Sequence, residues 1–287
     1  MKAIADRVKT SAAVSFMDLS VEAEAFGSSI RFSGNEVPVV TNAIVESVED
    51  VEALRVPEVG EGRTGVYVDA IREVSRLIND RPVLAGAIGP FSLAGRLNDV
   101  SEIMVNCYDD PDLVHALMAK VTPFIISYIN AFKAVGADGV LLAEPLTGLM
   151  SKDMATEFSE PYVRQIAEAV QDDSFVVIYH NCGNNAYGMI DSILRTGCSA
   201  FHFGNAVNML DILHSDPSDV VVMGNVDPAS QFCNGNEESI AAATKELLQK
   251  CASYDNFVVS SGCDIPPQTP WKNIDSFFNT VSSFYGK

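Results

Sequence analysis

The stretch "FVVIYHNC", residues 175–182, decides the fold, because a run of β-branched and aromatic residues stops abruptly at a histidine. Such a run predicts a strand that is apolar on both faces, as the strands of parallel sheets are. The strand ends in His180 and Cys182, followed by Gly183. A His-x-Cys pair at a strand end is either half of a metal site or two packed side chains, and the pair alone does not separate these alternatives.

Outward from this stretch, short β-branched runs alternate with longer amphipathic ones, as in repeated βα units. The predicted strands are 12–19, 37–40, 82–89, 138–145, 175–182, 199–204, 219–228 and 256–266. The predicted helices are 47–54, 66–79, 111–135, 153–170, 185–196, 236–253 and 270–284. About eight strands in a chain of 287 residues predict a (β/α)8 TIM barrel that forms a single domain, residues 1–287. An open doubly wound sheet is the alternative, but no G-x-G-x-x-G follows a strand.

Charge and composition exclude several classes of function. The net charge of −19 would repel a phosphate backbone or an anionic membrane surface, so nucleic acid is a poor candidate for a partner. The first residues do not form the apolar run of a signal peptide, because Asp6, Arg7, Lys9 and Thr10 interrupt it. No stretch approaches the roughly 20 apolar residues of a spanning helix. The sequence therefore predicts a cytoplasmic protein without a membrane partner.

Polar residues fall at the carboxyl ends of the predicted strands or just beyond them. They are Glu144, His180, Cys182, Asn205, Asn225, Asp227, Cys263 and Asp264. In a barrel these strand ends form the face on which active sites are built. The convergence of five separate strands is stronger evidence for a site than any one residue.

Cys263, on the last predicted strand, favours the metal interpretation of His180 and Cys182. Across the narrow interior of a barrel, the three side chains could meet over the mouth. Two thiolates and one imidazole suit zinc, and three protein ligands leave a fourth position for chemistry. His202 could also point into the barrel, but a hydrogen-bonded core histidine is the favoured interpretation. We interpret the other cysteines as small apolar side chains: Cys107, Cys198, Cys233 and Cys251.

Five segments together resemble a known family. They are "HNCG" at 180–183, "GNVDP" at 224–228, "SSGCDIPPQTPWKNI" at 260–274, "MDLSVEAEAFG" at 17–27 and "GAIGPFSLAGRL" at 86–97. These segments are similar to the uroporphyrinogen decarboxylase superfamily, in particular to its zinc-dependent corrinoid methyltransferases. Members of this branch transfer a methyl group from methylcobamide to a thiol such as coenzyme M. The resemblance spans nearly the whole chain and places the zinc motif on His180, Cys182 and Cys263.

The resemblance implies zinc and methylcobamide as cofactors, a separate corrinoid protein as partner and a small thiol as substrate. Homocysteine, a smaller thiol or tetrahydrofolate are alternative acceptors. A decarboxylase is the alternative activity, but the family's Arg-Gln-Ala-Gly-Arg stretch is missing, and Gly262-Cys263-Asp264 stands in place of Gly-His-Gly. A non-catalytic protein that sequesters a thiol or corrinoid is a third possibility. Relative to the family, we expect a shortened N-terminal cover over the barrel.

The remaining residues at the predicted mouth receive roles with open alternatives. Glu144 either accepts the thiol proton, or serves as a weak fourth ligand, or caps the following loop or helix through backbone N–H groups. Asp227 either orients the ligand histidine or caps a helix that Pro228 opens, and capping is favoured. Asn225 and Asp264 are assigned to the mouth, where the corrinoid cofactor would bind.

Overall fold

The computed structural model describes residues 1–34, 37–215 and 219–286. The strands are β1 (Ala13–Val14), β2 (Ile30–Arg31), β3 (Val39–Val40), β4 (Val83–Ile88), β5 (Gly139–Ala143), β6 (Val176–Asn181), β7 (Ala200–Phe203), β8 (Val221–Val226) and β9 (Phe257–Ser261). Seven of them form one curled, wholly parallel sheet in the order β1-β4-β5-β6-β7-β8-β9. This sheet and the helices that connect its strands confirm the predicted TIM-barrel class.

One predicted strand does not belong to the barrel sheet. Within the run 37–40, only β3 is a strand, and it pairs antiparallel with β2 in a separate two-stranded sheet. A barrel strand is covered on both sides, whereas Val37 is 70% exposed and both residues of β3 are only half-buried. Pro38 also lacks the N–H that a central strand would donate. Seven parallel strands, rather than eight, are therefore found in the described residues.

The helices follow most of the predicted patterns. They are α1 (Lys2–Arg7), α2 (Val21–Ala25), α3 (Val48–Ala53), α4 (Thr64–Leu77), α5 (Pro90–Asn98), α6 (Val100–Asp109), α7 (Pro111–Ala134), α8 (Lys152–Phe158), α9 (Glu160–Val170), α10 (Ile190–Leu194), α11 (Met209–Ser215), α12 (Glu237–Cys251) and α13 (Trp271–Phe284). The predicted helix 153–170 is two helices, because the chain breaks at Ser159, two residues before Pro161. Helix α5 was not predicted, since it is buried almost all round and has no polar face that would reveal a helical period.

Helix α7 is, by length and composition alone, apolar enough to cross a membrane. More than half of its most apolar window is buried in the protein. Its side chains pack against α5, α9 and the parallel sheet, with Phe124, Tyr128 and Phe132 among the fully buried residues. The helix therefore has the character of a core helix of this fold, and its length is weak evidence for a membrane span.

The alternation of side chains along the sheet separates the two parts of the core. Leu84, Ile178 and Ala200 form a small cluster of their own in the interior of the curled sheet. Tyr179 and Phe201, which alternate with them, belong to the large cluster between the sheet and the helices. Because side chains alternate along a strand, residues two positions beyond Ile178 and Ala200 also point inward. Those residues are His180 and His202.

Candidate metal centre

Three predicted ligands meet at the carboxyl end of the sheet. His180 is the penultimate residue of β6, Cys182 follows that strand directly, and Cys263 lies two residues after β9. The possible ligand atoms of these three residues all lie within 4.8 Å of one another. His180 is buried, whereas both cysteines are partly exposed. The cluster therefore combines a buried imidazole with two thiols at the mouth.

The separation between His180 and Cys263 suits tetrahedral coordination. His180 Nε2 lies 3.6 Å from Cys263 Sγ. In a tetrahedral zinc site with ordinary bond lengths, a nitrogen and a sulfur ligand are about 3.5 Å apart. One imidazole and two thiols are also the donor types that zinc prefers. The chemistry of the three residues and the separation of His180 from Cys263 thus fit a zinc ion, and their role as ligands stays a prediction.

The two thiols interact with each other. The hydrogen bond that Cys263 donates to Cys182 lowers the pKa of Cys182 to about 7. The same hydrogen bond raises the pKa of Cys263 to about 12. Without a cation, the pair therefore holds at most a single negative charge near neutral pH. A divalent cation between the two sulfurs would favour the second ionisation, because metal coordination deprotonates a thiol.

His180 is held from behind by a second histidine. Its Nδ1 lies 2.8 Å from Nδ1 of His202 and 3.2 Å from the His202 carbonyl oxygen. The other ring nitrogen of His202, Nε2, lies 2.8 Å from the carbonyl oxygen of Ser261. Burial, together with the neighbouring His180, lowers the pKa of His202 to about 3. His202 thus points into the barrel and is hydrogen-bonded, which combines both of the sequence interpretations.

Glycines let three loops approach the site closely. A Cβ atom on Gly204 would lie 2.6 Å from Cα of Cys182, and one on Gly183 would lie 2.2 Å from Cα of Gly148. A Cβ on Gly262 would lie 2.6 Å from the backbone nitrogen of Asn205. These neighbours are backbone atoms, which cannot move aside as a flexible side chain can. The position of Cys182 therefore depends on a glycine in the loop after β7.

The family model for uroporphyrinogen decarboxylase (URO-D) matches residues 2–284. The chain belongs to the uroporphyrinogen decarboxylase family. This finding confirms the resemblance drawn from the sequence segments.

Two kinds of relative within the uroporphyrinogen decarboxylase family are similar to the chain. It is 27% identical over 272 residues to a methylcobamide:CoM methyltransferase MtbA of Methanosarcina acetivorans, covering 93% of this chain and 78% of the relative. It is 29% identical over 287 residues to a uroporphyrinogen decarboxylase of Coxiella burnetii, covering 97% of this chain and 78% of the relative. Among solved structures, a methyltransferase from Methanosarcina mazei superposes with a TM-score of 0.89 at 26% identity, covering 99% of this chain and 83% of that one.

Glu144 in this uroporphyrinogen decarboxylase family member caps a helix. Its carboxylate accepts hydrogen bonds from the backbone N–H groups of Phe91 and Ser92, at 2.8 and 3.2 Å, and from the Ser92 hydroxyl at 2.8 Å. These groups belong to the first turn of α5, where backbone donors are otherwise unpaired. Burial raises the pKa of Glu144 to about 8, although the hydrogen bonds oppose this shift. The carboxylate therefore caps a helix, but this helix precedes Glu144 in the chain, whereas a cap on the following loop or helix was expected. The catalytic alternative stays a prediction.

Asp227, Asn225 and Asp264 differ in how they are held. Asp227 accepts hydrogen bonds from the backbone N–H groups of Ala229 and Ser230, and so caps the short π-helix Pro228–Cys233. Asn225 donates to the carbonyl oxygens of Gly204 and Val207 and ties the end of β8 to the loop after β7. Asp264 is exposed, and its charge opposes ionisation of Cys182. The corrinoid-binding role assigned to Asn225 and Asp264 stays a prediction.

A cluster of charges was not predicted from the sequence. It lies around segment 17–27, one of the segments that resemble the family. Arg63 donates to Asp18, to Glu24 at 2.5 Å and to the Ser20 hydroxyl at 2.9 Å. Nearby, the fully buried Glu22 accepts from the backbone N–H of Ile88 at 2.9 Å. Burial raises the pKa of Glu22 to about 7. The cluster joins the segment after β1 to α4 and to the end of β4.

Proposed function

We propose that the chain is a zinc-dependent methyltransferase, which moves a methyl group from a methylated corrinoid to a thiol. The observation that carries this proposal is the convergence of one imidazole nitrogen and two thiol sulfurs within 4.8 Å of one another at the barrel mouth. The relatives named methylcobamide:CoM methyltransferase and the Methanosarcina mazei methyltransferase structure support the same activity. We infer coenzyme M as the thiol from those names alone.

His180, Cys182 and Cys263 would hold the zinc. Bound there, zinc would supply a cation that deprotonates a thiol substrate in the fourth position, since the thiolate is the reactive nucleophile. With both cysteines ionised and His180 neutral, the protein would contribute two negative charges. This charge balance matters because a less positive centre leaves more electron density on the substrate sulfur.

The protein surroundings set the direction from which the substrate approaches. His180 is buried behind the centre, and the two sulfurs are partly exposed at the mouth. A substrate would therefore reach the two sulfurs from the solvent side, where a separate corrinoid protein would present its methyl group. We expect the acceptor thiol and the methyl carbon to meet at this mouth, in a cytoplasmic reaction.

Glu144 is the remaining candidate for the proton acceptor. Its carboxyl group is fully buried and engaged with the first turn of α5. If it accepts the thiol proton, Glu144→Gln should shift the pH profile of methyl transfer with little loss of zinc. An unchanged pH profile of methyl transfer in Glu144→Gln would exclude the proton-acceptor role and leave Glu144 as the cap of α5.

The decisive experiment measures zinc per chain by elemental analysis, followed by methyl transfer from methylcobalamin to coenzyme M and to homocysteine. We expect close to one zinc in the wild type and little in Cys182→Ala and Cys263→Ala, with activity lost in parallel. Cys233→Ala is the matched control, because Cys233 is also partly exposed but lies outside the cluster. Full zinc and full activity in Cys263→Ala would contradict the proposal.

The alternative is a decarboxylase, which the likeness to the Coxiella burnetii enzyme favours. A porphyrinogen with several carboxylates requires several cationic partners, whereas this chain has 38 acidic and 19 basic residues. Carbon dioxide release from uroporphyrinogen by zinc-free protein would establish the decarboxylase and displace the methyltransferase proposal.

A further inference from the structure

The two histidines at the end of β6 and β7 form a directed chain of hydrogen bonds. His180 and His202 are register partners on neighbouring parallel strands, and both point into the barrel. The chain runs from His180 Nδ1 to His202 Nδ1 at 2.8 Å, and from His202 Nε2 to the Ser261 carbonyl oxygen at 2.8 Å. His180 Nε2, at the opposite edge of the ring, faces Cys263 Sγ at 3.6 Å. Each ring nitrogen therefore has a defined neighbour.

The ring nitrogens that carry protons in this chain of hydrogen bonds can be assigned from its last acceptor, the Ser261 carbonyl oxygen. The Ser261 carbonyl oxygen can only accept, so Nε2 of His202 must carry a proton. His202 is 8% exposed, and burial disfavours a charged ring, so its Nδ1 is a bare lone pair. Two lone pairs at 2.8 Å would repel each other, and His180 Nδ1 therefore donates its proton to His202. Only the lone pair of His180 Nε2 is then left to face the cysteines.

We propose that His202 is a positioning residue that holds His180 in the Nδ1–H tautomer, with Nε2 presented to the metal. This inference rests on the metal site proposed above. A ligand histidine commonly donates its second ring N–H to a carboxylate, carbonyl or water, which fixes the tautomer and the ring plane. Here another imidazole supplies the acceptor, and the backbone of Ser261, at the end of β9, fixes that imidazole in turn. β9 thus orients the ligand on β6 and also leads into Cys263.

The tautomer can be observed without any metal. In the metal-free wild type with ¹⁵N-labelled histidine, two-bond ¹H–¹⁵N correlation spectra should show His180 protonated at Nδ1 and bare at Nε2. In His202→Phe, which keeps a ring of similar shape but removes both nitrogens, His180 Nδ1 keeps only the more distant carbonyl oxygen of residue 202 as acceptor, so the share of the Nε2–H form should rise. Protonation of His180 at Nε2 in the wild type would overturn the proposal, whether or not any variant folds.

Zinc affinity, measured by competition with a chromophoric chelator, provides the second readout. Loss of a residue that orients a metal ligand typically weakens binding about 10- to 100-fold, and we expect this loss in His202→Phe. His202→Asn can again offer an acceptor near the position of Nδ1 and should recover most of the affinity. His214→Phe is the matched control, since His214 is exposed on α11. Wild-type affinity in a folded His202→Phe would contradict the positioning role.

The two readouts keep this inference separate from the proposed function. If the wild type shows the Nδ1–H tautomer but binds no zinc, the proposed methyltransferase fails, and so does the role of His202 toward a metal. If zinc binds and the methyl transfer assay fails, the positioning role is still decided by the tautomer and by the affinity ratio of His202→Phe to His202→Asn.

Discussion

The two sides of the barrel mouth carry similar polar residues but use them differently. On the side of β6, β7 and β9, donor atoms of His180, Cys182 and Cys263 face one another. On the side of β4 and β5, Glu144 and Glu22 are fully buried, and their carboxylates accept hydrogen bonds from backbone N–H groups. A polar residue at a strand end is therefore a candidate metal ligand only if the atoms that could bind the metal are not already hydrogen-bonded to the backbone.

The comparison also separates the energetic consequences of the two sides. Removing a ligand on the β6 side should abolish metal binding and leave the fold, because the ligand atoms satisfy no helix or sheet groups. Removing a carboxylate on the β5 side should leave buried N–H groups without acceptors, which costs stability. Mutations on the β6 side should thus reduce metal binding and keep stability. Mutations on the β5 side should reduce stability and keep metal binding.

His180→Ala should give the largest effect, and it acts on activity. We expect zinc affinity to fall more than about 100-fold, since loss of a residue that only orients a ligand already costs 10- to 100-fold. Methyl transfer should fall below detection, while the free energy of unfolding, measured by urea denaturation of the metal-free protein, changes less. His214→Ala, an exposed histidine, serves as control. Full zinc occupancy in His180→Ala would break the distinction between the two sides.

Glu144→Ala should act on stability. Its removal leaves the N–H groups of Phe91 and Ser92 without their acceptor at the start of α5. Each unsatisfied buried group costs about 1–3 kcal/mol, so a loss of about 3 kcal/mol in the free energy of unfolding is expected. Zinc per chain should stay near the wild-type value in the folded fraction. A stable Glu144→Ala protein without zinc would place Glu144 on the metal side of the comparison.

Sequence patterns predicted the parallel sheet and helix α7 because these features depend on local periodicity. The meeting of His180, Cys182 and Cys263 could also be predicted, because the strand ends of a barrel surround one mouth. The assignment of the strand at 37–40 to the barrel sheet was wrong, since a short apolar run does not reveal whether a sheet will cover both of its faces.

Capping by Glu144 and a hydrogen-bonded core position for His202 were among the sequence interpretations, but their partners could not be predicted from the sequence. Glu144 lies 53 positions from its partner Phe91, and His202 lies 59 positions from Ser261. Helix α5, which contains Phe91, is short and almost wholly buried and was not predicted, so the donors that Glu144 caps were not visible. The tautomer of His180 depends on the pairing of β6 with β7 and on the position of β9, which only the three-dimensional register gives.

Glu22 should make the stability of the β4 side dependent on pH. Its pKa is raised from 4.5 to about 7 by burial, so the folded protein holds the proton more tightly than the unfolded chain. The stabilisation is fully present below pH 4.5 and is lost as the pH rises to about 7. Relative to Glu22→Gln, the wild type should lose on the order of 3 kcal/mol over this range, at about 1.4 kcal/mol for each pH unit. The free energy of unfolding is measured by urea denaturation at several pH values. The same pH dependence in the wild type and in Glu22→Gln would contradict the burial argument.

Gly204→Ala should lower stability less than the changes at Glu144 and Glu22, and it affects the metal side. The added methyl group would lie 2.6 Å from Cα of Cys182, and this backbone contact can be relieved only by moving the loop after β6 or the loop after β7. Overpacking of this kind costs about 1–3 kcal/mol, and the shift should also weaken zinc binding. Gly34→Ala is the control, because a Cβ there meets nothing within 4 Å. Weaker zinc binding in Gly204→Ala than in Gly34→Ala would show that this loop contact sets the geometry of the centre. An equal loss of zinc affinity in both variants would contradict this role.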